Sequence, residues 1–288
     1  MMNRLSFTHG AYRTAPRKVA TLYRLFPSLT FHPRLVRSVF RASSLAKRSG
    51  YDGHAWSQHS LYLMRALESV GVQFEITGVE QLQQLNTPCV IVANHMSTLE
   101  TAVLPSIIEP ILPVTFVVKQ SLIDYPVFKH IMRARNPIAV TQTDPRQDLK
   151  RMLLDGTARI ESGVSVVVFP EGRRSPVFAE DRFNTIGVKL AHRAGVPIIP
   201  LALYTNAWAL GRGRFNDFGR IDSSQKVRFA FGAPLRVEGR GVAENRAVID
   251  YIIDRLEQWR LEDGRPAPSS VERSQEPAGI ESFQAGDV

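Results

Sequence analysis

The sequence predicts an α/β protein with a largely parallel, mixed sheet flanked by helices and preceded by a basic amphipathic helical segment. Two observations support this fold class. From residue 72 on, short runs of branched apolar residues alternate with helical patterns, which favours a parallel sheet covered on both faces. The first 51 residues contain ten Lys or Arg and no Asp or Glu, whereas the remaining residues are nearly balanced in charge.

The basic N-terminal segment contains two apolar runs at helical spacing. The first comprises Val19, Leu22, Tyr23 and Phe26; the second, opened by Pro33, has Leu35, Val36, Val39 and Phe40 on one side and Arg34, Arg37 and Arg41 on the other. We interpret them as two short basic amphipathic helices that suit an anionic membrane surface. Helices packed on the next domain, an acidic or nucleic-acid partner, and a mitochondrial presequence are the alternatives.

The remaining elements follow in chain order. A third helix is predicted near residues 56–70, and further helices after residue 97, from 145 to 162, from 185 to 194 and from 244 to 259. The predicted strands are residues 72–76, 89–93, 114–118, 137–140, 164–169, 196–204 and 226–231. We therefore divide the chain into a basic helical membrane-associating segment (1–70), an α/β domain (71–262) and a disordered tail rich in Pro, Gly and Ser (263–288).

Composition excludes several classes of protein. Cys89 is the single cysteine, so an intrachain disulfide is impossible and a reducing compartment is expected. The longest apolar stretch, residues 104–118, is interrupted by Glu109 and three prolines, so no transmembrane helix is expected. The first 20 residues have no apolar run of the kind a secretory signal needs.

A polar motif follows the predicted strand at residues 89–93. We call residues 94–100, which begin with Asn94 and His95, the His95 motif. Ser97 or Thr98 can cap a following helix, which places Glu100 close enough to hold the imidazole. A neutral histidine oriented by a carboxylate can take a proton from a hydroxyl group. The alternative is a core histidine beside a surface glutamate.

A second motif, residues 169–175 (the Arg173 motif), directly follows the most apolar predicted strand. Its polar residues therefore emerge at the carboxyl edge of the sheet, as those of the His95 motif do, and this edge is where open α/β sheets bind ligands. Gly172 permits close approach of the backbone, and Arg173 and Arg174 can grip a phosphate through paired hydrogen bonds. The alternative is a pair of solvated surface arginines.

Together the two motifs resemble those of the glycerolipid acyltransferase superfamily, which includes lysophosphatidic acid and glycerol-phosphate acyltransferases. Asn94-His95, followed after four residues by a carboxylate, and residues 169–175, Phe-Pro-Glu-Gly-Arg-Arg-Ser, match its patterns in the right order. The resemblance extends over about residues 72–237 and includes residues 119–122, 196–200 and 231–234.

The resemblance implies that His95, held by Glu100, is the general base that activates a lysophospholipid hydroxyl, most readily that of 1-acyl-sn-glycerol-3-phosphate. The acyl donor would be acyl-CoA or acyl-carrier protein. The substrate-binding residues it implies are Asn94, Lys119, Glu171, Gly172, Arg173, Arg174 and Ser175. Of these, Glu171, Gly172 and Arg173 would form the acceptor site, with Arg173 or Arg174, or less readily Lys119, meeting a phosphate. A thioester is already activated, so neither a metal nor another cofactor is expected. The expected location is the cytoplasmic face of an inner membrane, as a peripheral protein, or the cytoplasm.

The sequence departs from the family pattern at two positions. The acid after the histidine is normally Asp, and here it is Glu100. An Arg that many members place between the two motifs aligns with Gln142, for which Arg146 or Arg133 would have to substitute. Another lysolipid or an amphipathic alcohol is therefore an alternative acceptor.

Two rival functions are weighed against acyl transfer. A hydrolase using Ser97 or Ser175 as nucleophile would need a Gly-x-Ser-x-Gly elbow, which neither serine has. A non-catalytic protein that binds a membrane surface or nucleic acid would not need the His95–Glu100 pair. The balanced charge beyond residue 51 gives the main domain no nucleic-acid footprint, so no nucleic-acid partner is expected.

Overall fold

A computed structural model describes residues 4–211 and 213–266, without the side chains of residues 214–216. The strands are β1 (Tyr12–Arg13), β2 (Gln73–Thr77), β3 (Val90–Ala93), β4 (Val114–Lys119), β5 (Ile138–Val140), β6 (Ser165–Val168), β7 (Ile198–Tyr204) and β8 (Lys226–Phe231). The helices are α1 (Thr21–Leu25), α2 (Pro27–Lys47), α3 (Gly53–Ser69), α4 (Glu80–Gln83), α5 (Thr98–Ile108), α6 (Gln120–Asp124), α7 (Phe128–Arg135), α8 (Pro145–Glu161), α9 (Ile186–Ala194) and α10 (Val242–Glu262). Short 3-10 turns occupy Glu180–Arg182 and Gly213–Phe218.

The strands form one mixed sheet in the order β1-β2-β8-β7-β3-β6-β4-β5. From β7 to β5 the neighbours are parallel, whereas β8 runs antiparallel to β7 and β1 antiparallel to β2. The α/β fold class with a largely parallel, mixed sheet is thus confirmed. Because β3, β6, β4 and β5 share one direction, their carboxyl ends meet at the same edge of the sheet.

Helices cover both faces of the sheet because the central strands are apolar on both. Every residue of β3 is buried, and consecutive side chains point to opposite faces. Ile91 and Ala93 pack in a core with α3 and α5, whereas Val90 and Val92 pack in a core with α8, α9 and α10. The sheet therefore holds the β3 end rigidly from both sides.

The N-terminal helices differ from the two short helices predicted. A short α1 is followed by one long helix, α2, which begins at Pro27 and continues through Pro33. A proline inside a helix removes a backbone hydrogen bond, and burial opposes this cost. Phe31 and Leu35, on either side of Pro33, are both buried in the core that contains β2 and α3. Tertiary packing thus overrides the helix break that the sequence predicts.

Residues 4–70 therefore contribute to the same core as the sheet, through α2 and α3, and β1 pairs with β2. The division at residue 70 stays a prediction. None of the helices in residues 4–211 and 213–266 combines the length and the apolar character needed to cross a membrane. The tail predicted to be disordered lies outside the described residues from residue 267 on.

Asp263, just beyond α10, takes part in an ion-pair cluster around the buried Arg228 of β8. The Arg228 side chain is 1% exposed, and its Nε donates to Glu75 of β2 at 2.8 Å. Its two terminal nitrogens donate to both oxygens of Asp263, at 2.6 and 2.8 Å. The hydrogen bonds from Arg228 hold the pKa of Asp263 below its usual range. Burial acts to raise the pKa of Glu75, but Arg228 holds it below its usual range as well.

Arg228→Met tests this cluster, because it removes the buried guanidinium that joins the two carboxylates and leaves Glu75 with Lys226 and Asp263 with Arg265. We expect the free energy of unfolding at pH 7 to fall by about 3 kcal/mol, the lower end of the range for a broken buried pair, since both carboxylates are partly exposed. Urea unfolding measures the loss. Arg151→Met, which breaks an exposed pair with Asp155 on α8, should leave the midpoint unchanged.

The same comparison has a pH dependence. Both carboxylates have depressed pKa values in the folded protein, so their stabilisation is present above their unfolded pKa values of about 4. It is lost as the pH falls through the folded values. The stability difference between the native protein and Arg228→Met should therefore shrink below pH ~4, and an equal difference at pH 3 and pH 7 would contradict this assignment.

Candidate active site

The two sequence motifs meet at the carboxyl edge of the sheet. His95 lies two residues beyond the end of β3, and the Arg173 motif follows β6, the parallel neighbour of β3. The backbone N–H of His95 donates to Oε2 of Glu171 at 2.7 Å, and the backbone N–H of Ser175 donates to the His95 carbonyl at 2.8 Å. Residues far apart in the chain are thus hydrogen-bonded to each other at the backbone of His95.

His95 is paired with Glu100 as the spacing predicts. The distance between His95 Nδ1 and Glu100 Oε1 is 2.9 Å; Glu100 is fully buried, and the histidine side chain is 16% exposed. An imidazole whose Nδ1–H is held by a carboxylate presents its other nitrogen, Nε2, as the proton acceptor. The pair therefore has the arrangement that general base chemistry requires.

Glu100 is held by the first turn of α5 as well as by the histidine. Ser97 is the N-cap of α5 and Glu100 is its N3 residue, so the two form a capping box. Oε1 of Glu100 accepts the backbone N–H groups of Met96 and Ser97, at 2.7 and 2.8 Å. This arrangement gives the longer glutamate side chain a defined place where family members normally have aspartate.

Thr205, just beyond β7, is a site residue that the sequence analysis missed. Its hydroxyl donates to Oε2 of Glu100 at 2.6 Å, and the Ser97 hydroxyl reaches the same oxygen at 3.0 Å. Burial acts to raise the pKa of Glu100, but the hydrogen bonds from His95, Thr205 and Ser97 hold it below its usual range. The carboxylate is therefore kept ionised although it is buried. No local sequence pattern marks Thr205, because the pairing of β7 with β3 is what brings it to Glu100, 105 residues away in the chain.

Asn94 also joins β3 to β7. Its amide nitrogen donates to the Leu203 carbonyl at 2.9 Å, and its side-chain oxygen accepts the Leu203 backbone N–H at 2.8 Å. The side chain is buried, so the structure gives Asn94 a scaffolding position beneath His95. Contact with a substrate stays a prediction for this residue.

Glu171 also binds backbone groups. It is 6% exposed; Oε2 accepts from His95, and Oε1 accepts the backbone N–H of Ala179 at 3.1 Å. Burial raises the pKa of Glu171 to about 7 in spite of these two donors. Its carboxylate fixes the loops of both motifs, and its predicted contact with the acceptor is untested.

Phe169 forms the wall beside the imidazole. Its ring stacks on the His95 ring with centroids 4.2 Å apart and an angle of 17° between the planes. Phe116 of β4 stacks in turn on Phe169 at 6.3 Å. These rings cover one face of the histidine and restrict its orientation, in addition to the hydrogen bond that its Nδ1–H donates to Glu100.

The predicted acceptor residues lie around this centre in different environments. Arg174 donates to the Thr98 hydroxyl and pairs with Asp217 at 2.5 Å, so part of its guanidinium is occupied by the protein. Arg173 is exposed, as is Lys119 at the end of β4. Gly172, with a φ of 70°, occupies the left-handed conformation that favours glycine.

Two further side chains, those of Ser175 and Gln142, lie at the Arg173 motif. Ser175 donates its hydroxyl to the Val177 carbonyl at 2.5 Å, which stabilises a local turn. Gln142, which stands where many family members have Arg, donates its side-chain amide to the Gly172 carbonyl at 3.0 Å. Gln142 thus lies at the site, as the alignment predicts, but carries no charge to it.

Comparison with known proteins agrees with this geometry. The family model described as Acyltransferase matches residues 73–204, which contain both motifs. A 1-acyl-sn-glycerol-3-phosphate acyltransferase of Pseudomonas aeruginosa is 33% identical over 204 residues, which cover 71% of this chain and 73% of the relative. The chain belongs to the glycerolipid acyltransferase family. It is accordingly an O-acyltransferase.

Two further proteins, one compared by sequence and one by structure, are similar to this chain. A chloroplastic 1-acyl-sn-glycerol-3-phosphate acyltransferase of Brassica napus is 32% identical over 132 residues, covering 45% of this chain and 36% of the relative. The crystal structure of the 1-acyl-sn-glycerophosphate acyltransferase PlsC of Thermotoga maritima has a TM-score of 0.66 and 18% identity. It covers 83% of this chain and 97% of PlsC, so the two proteins share their fold.

Thr205→Val tests whether this threonine positions the acyltransferase site. Loss of a hydroxyl bonded to a buried carboxylate should lower kcat roughly tenfold or more, since hydrogen bonds to charged groups are stronger than neutral ones. KM for either substrate should change little. Thr205→Ser keeps the hydroxyl and should retain most of the activity. Steady-state kinetics of the two variants measures the change in kcat, and thermal unfolding checks that both are folded. An equal fall in kcat in Thr205→Val and Thr205→Ser would contradict a role for the hydroxyl.

Proposed function

We propose that the protein transfers a fatty acyl group from acyl-CoA or acyl-carrier protein to the free hydroxyl of 1-acyl-sn-glycerol-3-phosphate, giving phosphatidic acid. The observation that carries the proposal is the 2.9 Å contact between His95 Nδ1 and the buried Glu100, beside the Arg173 motif. The curated relatives from Pseudomonas aeruginosa and Brassica napus bear the name of this activity, which supports the choice of acceptor.

In the proposed reaction, Nε2 of His95 takes the proton of the acceptor hydroxyl as its oxygen attacks the thioester carbonyl. The tetrahedral intermediate then collapses, the carbon–sulfur bond breaks, and the departing thiolate takes the proton back from His95. Glu100 stabilises the imidazolium that forms between these steps. General base catalysis of this kind supplies about 10²–10⁴-fold, and the remainder comes from positioning of the two substrates. Because a thioester is already activated, the proposal needs neither a metal nor another cofactor.

Arg173 is the proposed partner of the acceptor phosphate. It lies in the loop whose Glu171 and Ser175 are hydrogen-bonded to the His95 backbone, so the backbone of Arg173 is held close to the proposed base. Arg174, one residue on, contacts Thr98 and Asp217. Lys119, at the carboxyl end of the next strand along the sheet, is a further cation at this edge. An arginine suits this role because its fork matches two phosphate oxygens at once.

Gln142 favours a second candidate acceptor. The amide that replaces the usual Arg is directed to the Gly172 carbonyl and adds no charge for a phosphate monoester. A lysolipid with a larger head group, or another amphipathic alcohol, needs less positive charge at this point. Comparing turnover of several lysolipids by mass spectrometry of the products separates these acceptors.

We also propose that the substrates are taken from an anionic membrane surface by α1 and the first half of α2. The exposed side chains of this region are mostly large and apolar: Leu22, Tyr23, Leu25, Phe26, Leu29 and Val36. Cations at Arg24 and Arg37 lie among them, and a basic rim around apolar side chains suits the headgroup region. Phe31 and Leu35 of the same region are buried, so point substitutions test the surface better than truncation.

His95→Ala should abolish acyl transfer, because no other group in the proposed mechanism takes the hydroxyl proton. A fall in kcat of about 10²-fold or more is expected in a continuous assay of thiol release. His192→Ala is the matched control, since it removes an exposed histidine of α9 and should leave kcat unchanged. Near-normal turnover by a folded His95→Ala protein would eliminate this mechanism.

Arg173→Ala should raise KM for 1-acyl-sn-glycerol-3-phosphate by roughly tenfold or more, because a charge-assisted contact with its phosphate is lost. KM for the acyl donor should stay the same. An acceptor without the phosphate, monoacylglycerol, should be used equally well by the native protein and the variant. Arg193→Ala on α9 controls for removal of an exposed arginine. A parallel rise in both KM values would move Arg173 away from the acceptor.

A further inference from the structure

A cleft of about 390 Å³ lies between the second half of α2 and the N-terminal part of α7. None of the residues proposed for acyl transfer lines it. The cleft is bounded on the α2 side by Phe40, Ser43, Ser44 and Lys47, and on the α7 side by Val127, Lys129 and His130, with Pro126 between α6 and α7. Its volume falls within the range typical of small-molecule sites.

The cleft is strongly cationic. Lys47 comes from the last turn of α2, and Lys129 comes from the first turn of α7. None of the described residues that line the cleft is acidic. The pKa of His130 is lowered first by desolvation and then by the charges of Lys47, Lys129 and Arg133. All three cations therefore lie within electrostatic reach of the His130 ring. Cations drawn together from two helices repel each other, so an anion placed among them would be favoured.

The backbone at the cleft is also unusual. Val127 has a φ of 72°, a conformation that is rare for a β-branched residue. The buried Ser43 holds it in place by donating its hydroxyl to the Val127 carbonyl at 2.8 Å. The strained residue thus fixes the start of α7, with Lys129 and His130, against α2.

We propose that this cleft is a second anion site, which binds a phosphate ester and is separate from the proposed acceptor site at Arg173. The cations supply the charge, the exposed Ser44 hydroxyl can donate to a phosphate oxygen, and Phe40 covers the apolar part of the ligand. Two sources offer this chemistry. One is the headgroup of an anionic lipid at the membrane surface, and the other is the nucleotide part of acyl-CoA.

The double variant Lys47→Gln/Lys129→Gln tests the site in the full chain. Lys150→Gln/Lys189→Gln, which removes two exposed lysines from α8 and α9, is the matched control. Isothermal titration with coenzyme A tests the nucleotide source. Sedimentation with vesicles of phosphatidylglycerol, compared with phosphatidylcholine, tests the lipid source. None of these measurements requires turnover, so their outcome is independent of the proposed reaction.

Loss of two cations should weaken one of these interactions by roughly tenfold or more, and the control should weaken neither to that extent. Weaker binding of coenzyme A alone identifies the donor as the source of the phosphate, and weaker binding of phosphatidylglycerol alone identifies the lipid. If the double variant and its control behave alike in both assays, the proposal is overturned. Ser44→Glu, which places a carboxylate in the cleft without removing a lysine, should reproduce the loss if the double variant folds poorly.

The membrane proposal for α1 and α2 can fail independently of the cleft. Leu25→Asn/Leu29→Asn removes two exposed apolar side chains and leaves the residues that line the cleft unchanged. If this variant binds both phosphatidylcholine and phosphatidylglycerol vesicles more weakly, the result supports insertion of the apolar side chains of α1 and α2 into the membrane. If the binding that remains still favours phosphatidylglycerol over phosphatidylcholine, the result supports the cleft as the site that senses lipid charge.

Discussion

One buried carboxylate, Glu100, connects the parts of the candidate site. It receives hydrogen bonds from His95, from the backbone of Met96 and Ser97, and from Thr205. A buried carboxylate is unfavourable unless several donors compensate for lost water. Because those donors come from the β3 turn, the first turn of α5 and the end of β7, these three elements must be in place before the charge can be buried. The catalytic geometry and the local fold are therefore the same set of interactions.

A second set of contacts holds the Arg173 motif to this centre. Glu171 and Ser175 are bonded to the backbone of His95, and Phe169 is stacked on its ring. The two motifs come from neighbouring parallel strands, whose ends are brought to one edge by the direction of the chain. As a result, residues of the Arg173 motif, which are predicted to bind substrate, also hold His95 in place. Loss of activity on substituting Glu171 would therefore not by itself identify a substrate contact.

The N-terminal region has two different surfaces. Its buried face, with Phe31 and Leu35, belongs to the core of the sheet, while α1 and the early part of α2 expose large apolar side chains. Further along α2, Ser44 and Lys47 line the cleft opposite α7, beside the exposed ring of Phe40. One long helix can thus be fixed by its core contacts and still present an apolar region and a cationic region to two different ligands. This division follows from the continuity of α2 through Pro33.

The sequence by itself determined the fold class, most strands and the pairing of His95 with Glu100, because each depends on local apolar patterns or on residues five positions apart. It also ordered the two motifs correctly along the chain. It did not reveal the uninterrupted α2, the short β1, α6 or α7, whose formation depends on packing rather than on local preference. Nor did it indicate Thr205, the backbone role of Glu171 or the ion pairs of Arg228, all of which join residues distant in sequence. Such contacts arise only when strand order and direction are set, and the burial of many side chains together sets that order.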